Sequence, residues 1–462
     1  MTQARMNPPA PNKRPNPVSF AEAFRFWLKL GFISFGGPAG QIAIMHQELV
    51  ERRRWISEKR FLHALNYCMV LPGPEAQQLA TYLGWLMHRT WGGIVAGGLF
   101  VLPSLFILIG LTWIYMAFGD LPVVAGILYG IKPAVTAIVL HAAWRIGSRT
   151  LRNAWTWSIA IAAFIAIFAL HLPFPAIILA AALVGWIGGR VAPDRFRAGG
   201  GHAGADKSYG PAIIDDDTPT PPHARFTRAR LATVVAAGIG LWAISMAALI
   251  ALAGGEGVLA QIGGFFTKAA LLTFGGAYAV LPYVYQGAVD QFQWLTPEQM
   301  IDGLALGETT PGPLIMVVAF VGFVGGWTKA AAGAMPGGDV LWLAGAAGAA
   351  VATWFTFLPS FIFILAGGPV VESTHGKLGF TAPLTGITAA VVGVIVNLAV
   401  FFAWHVLMPD DSGGQAAGRF DWPSLVIGVA AWLALTRYKQ SVIRVILGCG
   451  AAGLLLKFAS GA

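Results

Sequence analysis

Four short runs of glycine and proline interrupt otherwise helical sequence, and they form two matched pairs. Ser34-Phe35-Gly36-Gly37-Pro38 is matched by Thr273-Phe274-Gly275-Gly276, and Pro72-Gly73-Pro74 by Pro311-Gly312-Pro313. Proline lacks an amide donor and glycine weakens a helix, so a helix should stop at each run and another begin beyond it. Amides left free at a helix start, together with the helix dipole, favour an anion. Ser34 and Thr273 add hydroxyls at equivalent positions, and Thr309 and Thr310 stand just before the second Pro-Gly-Pro. Packing is the alternative reading of any single break, but four in matched pairs favour a site.

Charges near the breaks extend this chemistry. Lys29 and Lys268 each lie seven residues before a Gly-Gly. An ammonium there would balance a dianion; snorkelling to the interface is the competing role. Lys132, beside Pro133, is a third candidate. Glu75 follows one Pro-Gly-Pro and Glu308 precedes the other. A membrane carboxylate beside an anion site can carry a coupling proton, although Glu75 can equally stabilise the start of its own helix. Gln41, Asn66, Gln77 and Gln78 are candidate neutral ligands, whereas His46 and His63 read as interfacial.

The elements that must position these residues are membrane helices. The chain has 462 residues, 56% hydrophobic and 11% charged, with mean hydropathy +0.67. Soluble domains carry about 25% charged residues. Thr90 to Gly119, Asn153 to Gly189, Leu231 to Gly255 and Leu378 to Pro409 contain no Asp, Glu, Lys or Arg. A spanning helix needs roughly 20 apolar residues. These features exclude an ordinary cytosolic enzyme and give an all-α polytopic membrane protein. The net charge of +9 fits the positive-inside bias of membrane proteins, not nucleic-acid binding. Cys68 and Cys449 offer neither a disulfide framework nor metal spacing.

The chain is two homologous halves. Lys29 recurs as Lys268, Trp55-Ile56-Ser57 as Trp294-Leu295-Thr296, and Pro72 as Pro311, all at an offset of 239 residues. Leu102-Pro103-Ser104 recurs as Leu358-Pro359-Ser360, and Gly130 as Gly386, at 256. Arg52-Arg53-Arg54, Lys59 and Arg60 face Asp290 and Glu298 at the equivalent place. Arg145, Arg149 and Arg152 face Asp410-Asp411, with only Arg419 near; toward the end the bias reverses, with Arg437, Lys439 and Arg444 against His171. Lys/Arg bias sets topology, so the halves are expected to be inverted, with N-terminus and linker cytoplasmic. The expected divisions are a disordered tail (1–18), a first repeat (19–190), a linker (191–229), one extra transmembrane helix (230–255) and a second, inverted repeat (256–462). The linker, with its glycine run, its prolines and Asp215-Asp216-Asp217, reads as flexible and solvated.

The first two elements of each half, about 12–16 residues per piece, are too short to span comfortably. They read as broken or re-entrant helices, which are tolerated only when buried or lining a cavity. Paired interruptions in two halves point to a transporter site. No G-x-x-x-x-G-K-[ST], H-E-x-x-H or G-x-S-x-G occurs, so a nucleotide-driven pump and intramembrane hydrolysis have no motif here. The chain is not expected to be an enzyme, nor to hold a cofactor or metal.

The run from Phe35 to Gln41, Arg52-Arg53-Arg54-Trp55, the run from His63 to Cys68, and above all Leu71-Pro72-Gly73-Pro74-Glu75-Ala76-Gln77-Gln78-Leu79-Ala80-Thr81-Tyr82 resemble the chromate ion transporter family. Thr273 to Gly276 and Thr310 to Pro313 look like its second domain. The resemblance covers about residues 19–460 and is to the long, two-domain members. It implies an inner-membrane secondary transporter that exports chromate and confers resistance, with sulfate as a similar tetrahedral dianion. Alternatives are a sulfate or other oxyanion carrier, or an anion channel. Expected partners are the anion, membrane lipids and a homodimer mate, with no nucleic acid. Lys29, Gly36, Gly37, Gln41, Asn66, Pro72, Gly73, Pro74, Glu75 and Gln78 sit in its motifs. Val280 and Ala305 replace Gln41 and Asn66 in the second half, so the halves should contribute unequally.

Overall fold

The computed structural model describes residues 14–35, 37–119, 121–196, 209–333, 340–374, 381–409 and 420–459. Gly36, residues 1–13 of the tail, the linker's glycine run and Asp410, Asp411 and Arg419 lie outside the described residues. Among the described residues the chain is helical and has no strand; eight helices are long and apolar enough to cross a membrane.

The first half begins with α1 (Phe20–Ile33), α2 (Gly37–His46), α3 (Glu58–Cys68) and α4 (Glu75–Phe118). It continues with α5 (Pro122–Thr150), α6 (Ala154–Phe168) and α7 (Phe174–Val191). The unmatched helix is α8 (Arg228–Ala253). The second half opens with α9 (Val258–Leu272), α10 (Ala277–Tyr285), α11 (Pro297–Thr309) and α12 (Val317–Ala331). It ends with α13 (Leu341–Thr374), α14 (Thr381–Leu407), α15 (Trp422–Thr436) and α16 (Val442–Ala459).

Local signals explain the boundaries. Ser57 and Thr296, equivalent in the two halves, cap α3 and α11 by accepting from the amides of Arg60 and Gln299. A wide π-type turn follows α2 (Gln47–Arg52) and recurs after α10 (Gln286–Gln291). The helix α4 is broken at His88 and Arg89, whose φ values are −131° and 57°, leaving limbs 75–87 and 90–118. The second half makes two separate helices, α12 and α13, of the same stretch.

The halves interdigitate. The α6–α7 pair packs on α14 of the other half, and α15–α16 packs on α5. Glycines allow the approach: a Cβ on Gly130 would meet the Cys449 carbonyl oxygen at 2.0 Å, and one on Gly386 the Ala181 oxygen at 2.3 Å. Limb 90–118 and α13 run antiparallel, since Gly93 lies against Leu365 and Gly97 against Phe361.

The linker departs from expectation. Residues 209–227 are docked on the first half, with Ala212, Ile214 and Ala224 buried. Ile213 and Ile214 donate their amides to the carbonyls of Arg54 and Trp55, and Ser57 donates to Ile214. The acidic triplet holds this segment: Asp215 accepts from the Ala212 amide, Asp216 from the Ser57 hydroxyl, and Asp217 pairs with Arg14. Two isoleucines, too few for a recognisable strand pattern, find a buried slot beside Trp55 and Ile56.

Candidate functional site

The four breaks meet at one place and bond reciprocally. The Gly73 amide donates to the Thr273 carbonyl at 2.7 Å, and the Gly312 amide donates to the Ser34 carbonyl at 2.7 Å. Each Pro-Gly-Pro loop of one half is therefore tied to the helix break of the other. The loops need glycine: φ is +124° at Gly73 and +110° at Gly312, a region L residues disfavour. A Cβ at Gly73 would meet Ser360 Oγ at 2.4 Å, and one at Gly312 would meet Ser104 Cβ at 2.8 Å. Pro72, half-buried, and Pro74, buried, flank Gly73. Gly37, Gly275 and Gly276 also hold positive φ.

Buried side chains from the first half surround the junction. The Gln41 amide donates to the Gly312 carbonyl and, at 3.4 Å, to the Ser34 carbonyl. Gln78 donates to the Pro72 carbonyl at 2.7 Å and to Ser360 Oγ at 3.5 Å; Gln77 donates to Thr81 Oγ1 at 3.0 Å. Five buried polar atoms here have no partner: Ser34 Oγ, Ser104 Oγ and the side-chain oxygens of Gln41, Gln77 and Gln78. An unpaired buried polar group costs about 1–3 kcal/mol. Such a concentration belongs to a place that a ligand or water completes. The two serine hydroxyls and the second hydrogens of the amides supply donors, and the amide oxygens supply acceptors.

Other expected ligands sit differently. The hydroxyls of Thr309 and Thr310 both donate to the Leu306 carbonyl, and that of Thr273 to the Ala269 carbonyl. Lys29 and Lys268 are exposed on α1 and α9, away from the buried junction. The lysine stem and ammonium reach outward because Phe26, Trp27 and Leu30 take the buried face of α1. Asn66 is half-buried on α3, and Glu75, also half-buried, opens α4. Glu308 accepts from the Tyr278 hydroxyl. The expectation that free amides at all four breaks face an anion is corrected at Gly73 and Gly312, whose amides close the link between halves. Ser104 and Ser360 are the residues sequence reasoning passed over. The Leu-Pro-Ser repeat contained them, but only as a marker of duplication.

The chromate transporter family matches residues 21–186 and 260–454, the two stretches on either side of the linker and α8. This chain belongs to that family. A chromate transport protein of Pseudomonas aeruginosa is 33% identical over 451 residues, 96% of this chain and 94% of that one. A chromate transport protein of Cupriavidus metallidurans is 28% identical over 435 residues, 93% and 91% of the two chains. A probable chromate transport protein of Synechococcus elongatus is 28% identical over 418 residues, 90% of each. No solved structure matches the chain. The reciprocal junction is thus built from segments inside both matched stretches of this chromate transporter family member.

Proposed function

We propose that this chain is a secondary carrier that exports chromate across the cytoplasmic membrane and so confers chromate resistance. The ion is held where the Pro-Gly-Pro loops of two inverted halves meet. One observation carries the reading: five unpaired buried polar atoms gathered around two reciprocal backbone bonds that join the halves. The antiparallel run of limb 90–118 against α13 supports inversion. Rocking one inverted half against the other would expose the junction to each side in turn. Gln41, Gln77, Gln78, Ser34 and Ser104 are the ligands; Gly37, Pro72, Gly73, Pro74, Gly275, Gly276 and Gly312 shape the cradle. Glu75 and Glu308 stand beside it as carriers of a coupling proton.

The test is chromate accumulation in everted membrane vesicles, with and without an energised membrane and with excess sulfate. Accumulation that requires energisation and falls with sulfate supports an exporter with a tetrahedral-dianion site. Absence of accumulation by folded protein overturns chromate as substrate and brings sulfate or another oxyanion forward. Linear, unsaturable flux without coupling would indicate a channel. Glu75→Gln should abolish gradient-driven accumulation and spare chromate binding.

A further inference from the structure

Two ion pairs cross between the halves among the described residues, and they are built alike. Arg60 on α3 pairs with Glu372 on α13 at 3.2 Å, and the Tyr82 hydroxyl donates to the same carboxylate at 2.5 Å. Lys132 on α5 pairs with Asp302 on α11 at 3.7 Å, and the Tyr115 hydroxyl donates to that carboxylate at 3.0 Å. In each cluster the first half supplies cation and tyrosine, and the second supplies the carboxylate. Both tyrosines are on α4. Both carboxylates are almost out of solvent, with side-chain exposures of 8% and 4%. The other described ion pairs lie within the first half or join the tail to the linker.

The clusters lie at opposite ends of the core. Glu372 is near the end of α13, where Gly368 lies against Trp85 of limb 75–87. Tyr115 is at the far end of α4 and packs on Phe320 of α12. There α12 lies on the start of α13, with Gly322 against Gly348 and Gly326 against Ala344. Limb 90–118 and α13 are antiparallel, so about 30 Å of helix separates the clusters at 1.5 Å per residue. The junction of the four breaks sits between them. Each cluster also grips the helix that leads into a Pro-Gly-Pro loop: α3 enters the first loop and α11 the second.

We infer that these clusters are the two closures of the transport site. The Glu372 cluster shuts α3 against α13 at one face; the Asp302 cluster shuts α11 against α4 and α5 at the other. The inference rests on the carrier reading given above. Ionisable residues at membrane depth are costly and functional, and removing one partner of a buried pair leaves an uncompensated charge. A carrier must break one closure while the other holds. Both are formed in this structure. Matching chemistry at the two ends makes opening comparably costly at either face.

The chain contains its own reporter. Cys68 is fully buried on α3, beyond Arg60 and next to the first loop. Gly307 is its equivalent on α11, and a Cβ there would meet Val317 at 3.4 Å, an ordinary contact. Labelling by a membrane-impermeant maleimide is followed in full-length protein carrying Cys449→Ser, as purified protein and in both vesicle orientations. Glu372→Gln should raise Cys68 labelling at least tenfold, and Asp302→Asn should not. With Cys68→Ser and Gly307→Cys the pattern should reverse. Both reporters responding to either variant, or neither responding, overturns the inference. If Glu372→Gln protein fails to fold, the exchange Arg60→Glu with Glu372→Arg decides: Cys68 must be protected as in the parent, and labelled Cys68 in folded protein overturns the closure. Labelling needs no chromate. Reporters that behave as expected in protein that accumulates no chromate would overturn the substrate and leave the closures standing.

Discussion

The two halves share a backbone plan but not a set of side chains. At the junction each half gives the same loop, the same positive-φ glycine and the same amide-to-carbonyl bond. Around it the first half places Gln41, Gln77, Gln78 and Thr81, where the second has Val280, Met316, Val317 and Phe320. Those second-half residues are fully buried and apolar. The first half therefore supplies most of the polar lining, and the second supplies a packed apolar wall with Ser360 at its edge. Duplication preserved the backbone cradle and let the side chains around it become unequal.

The glycines test the shared part, with the largest effect. Gly73→Val and Gly312→Val each force a branched residue into positive φ and into contact with Ser360 or Ser104. Transport in vesicles should fall at least tenfold in both variants, to similar degrees. A large loss in one alone would break the symmetry. The glutamines test the unequal part. Gln41→Leu removes the donor to the Gly312 carbonyl. That leaves a buried acceptor bare, at a stability cost of about 1–3 kcal/mol, and removes a proposed ligand, so apparent affinity should weaken by about tenfold. Val280→Leu, at the equivalent place, should change affinity less than twofold. The lysines come next. Lys29→Ala and Lys268→Ala remove exposed ammoniums, and chromate affinity should stay within about twofold of the parent. A strong loss in either would put a cation back at the site.

The smallest effect concerns the linker. The His223 ring bonds to the Trp85 carbonyl, and burial pushes its pKa below the ordinary 6.5, with Arg230 adding to the shift. The folded segment thus favours neutral imidazole. Its docking is intact above the ordinary value and weakens as pH falls below it, because the released ring protonates first. Limited proteolysis of the linker should increase modestly from pH 8 to pH 5.5, and His223→Gln should flatten that dependence.

The duplication and the four breaks were legible because glycine, proline and spacing survive in a bare sequence. The offset of 268 that relates α6 and α7 to α15 and α16 was not, since those helices repeat only in length and position. The side of α1 that carries Lys29 was legible only in part: Glu22, Arg25 and Lys29 share a face, but Phe20, Phe24, Leu28 and Phe32 are exposed beside them. In a membrane protein both faces of a helix are apolar, so hydrophobic pattern loses its power to point inward. Lys132 was visible as a lone cation, but nothing in the sequence linked it to Asp302, 170 residues further on. Tyr82, Tyr115 and Glu372 carried no signal because their meaning arises only from contacts across the halves. The docked linker was missed because its composition resembles that of unstructured chain.

The exchanged packing of the end helices has a consequence for synthesis. Helix α5 emerges from the ribosome early, yet its cover, α15 and α16, follows only after α6 to α14 have been made. The first half must wait in the bilayer with a bare flank, and loss of α15 and α16 would uncover a helix made long before them. A polypeptide with only one such half would leave both flanks uncovered and would need a second polypeptide to finish it.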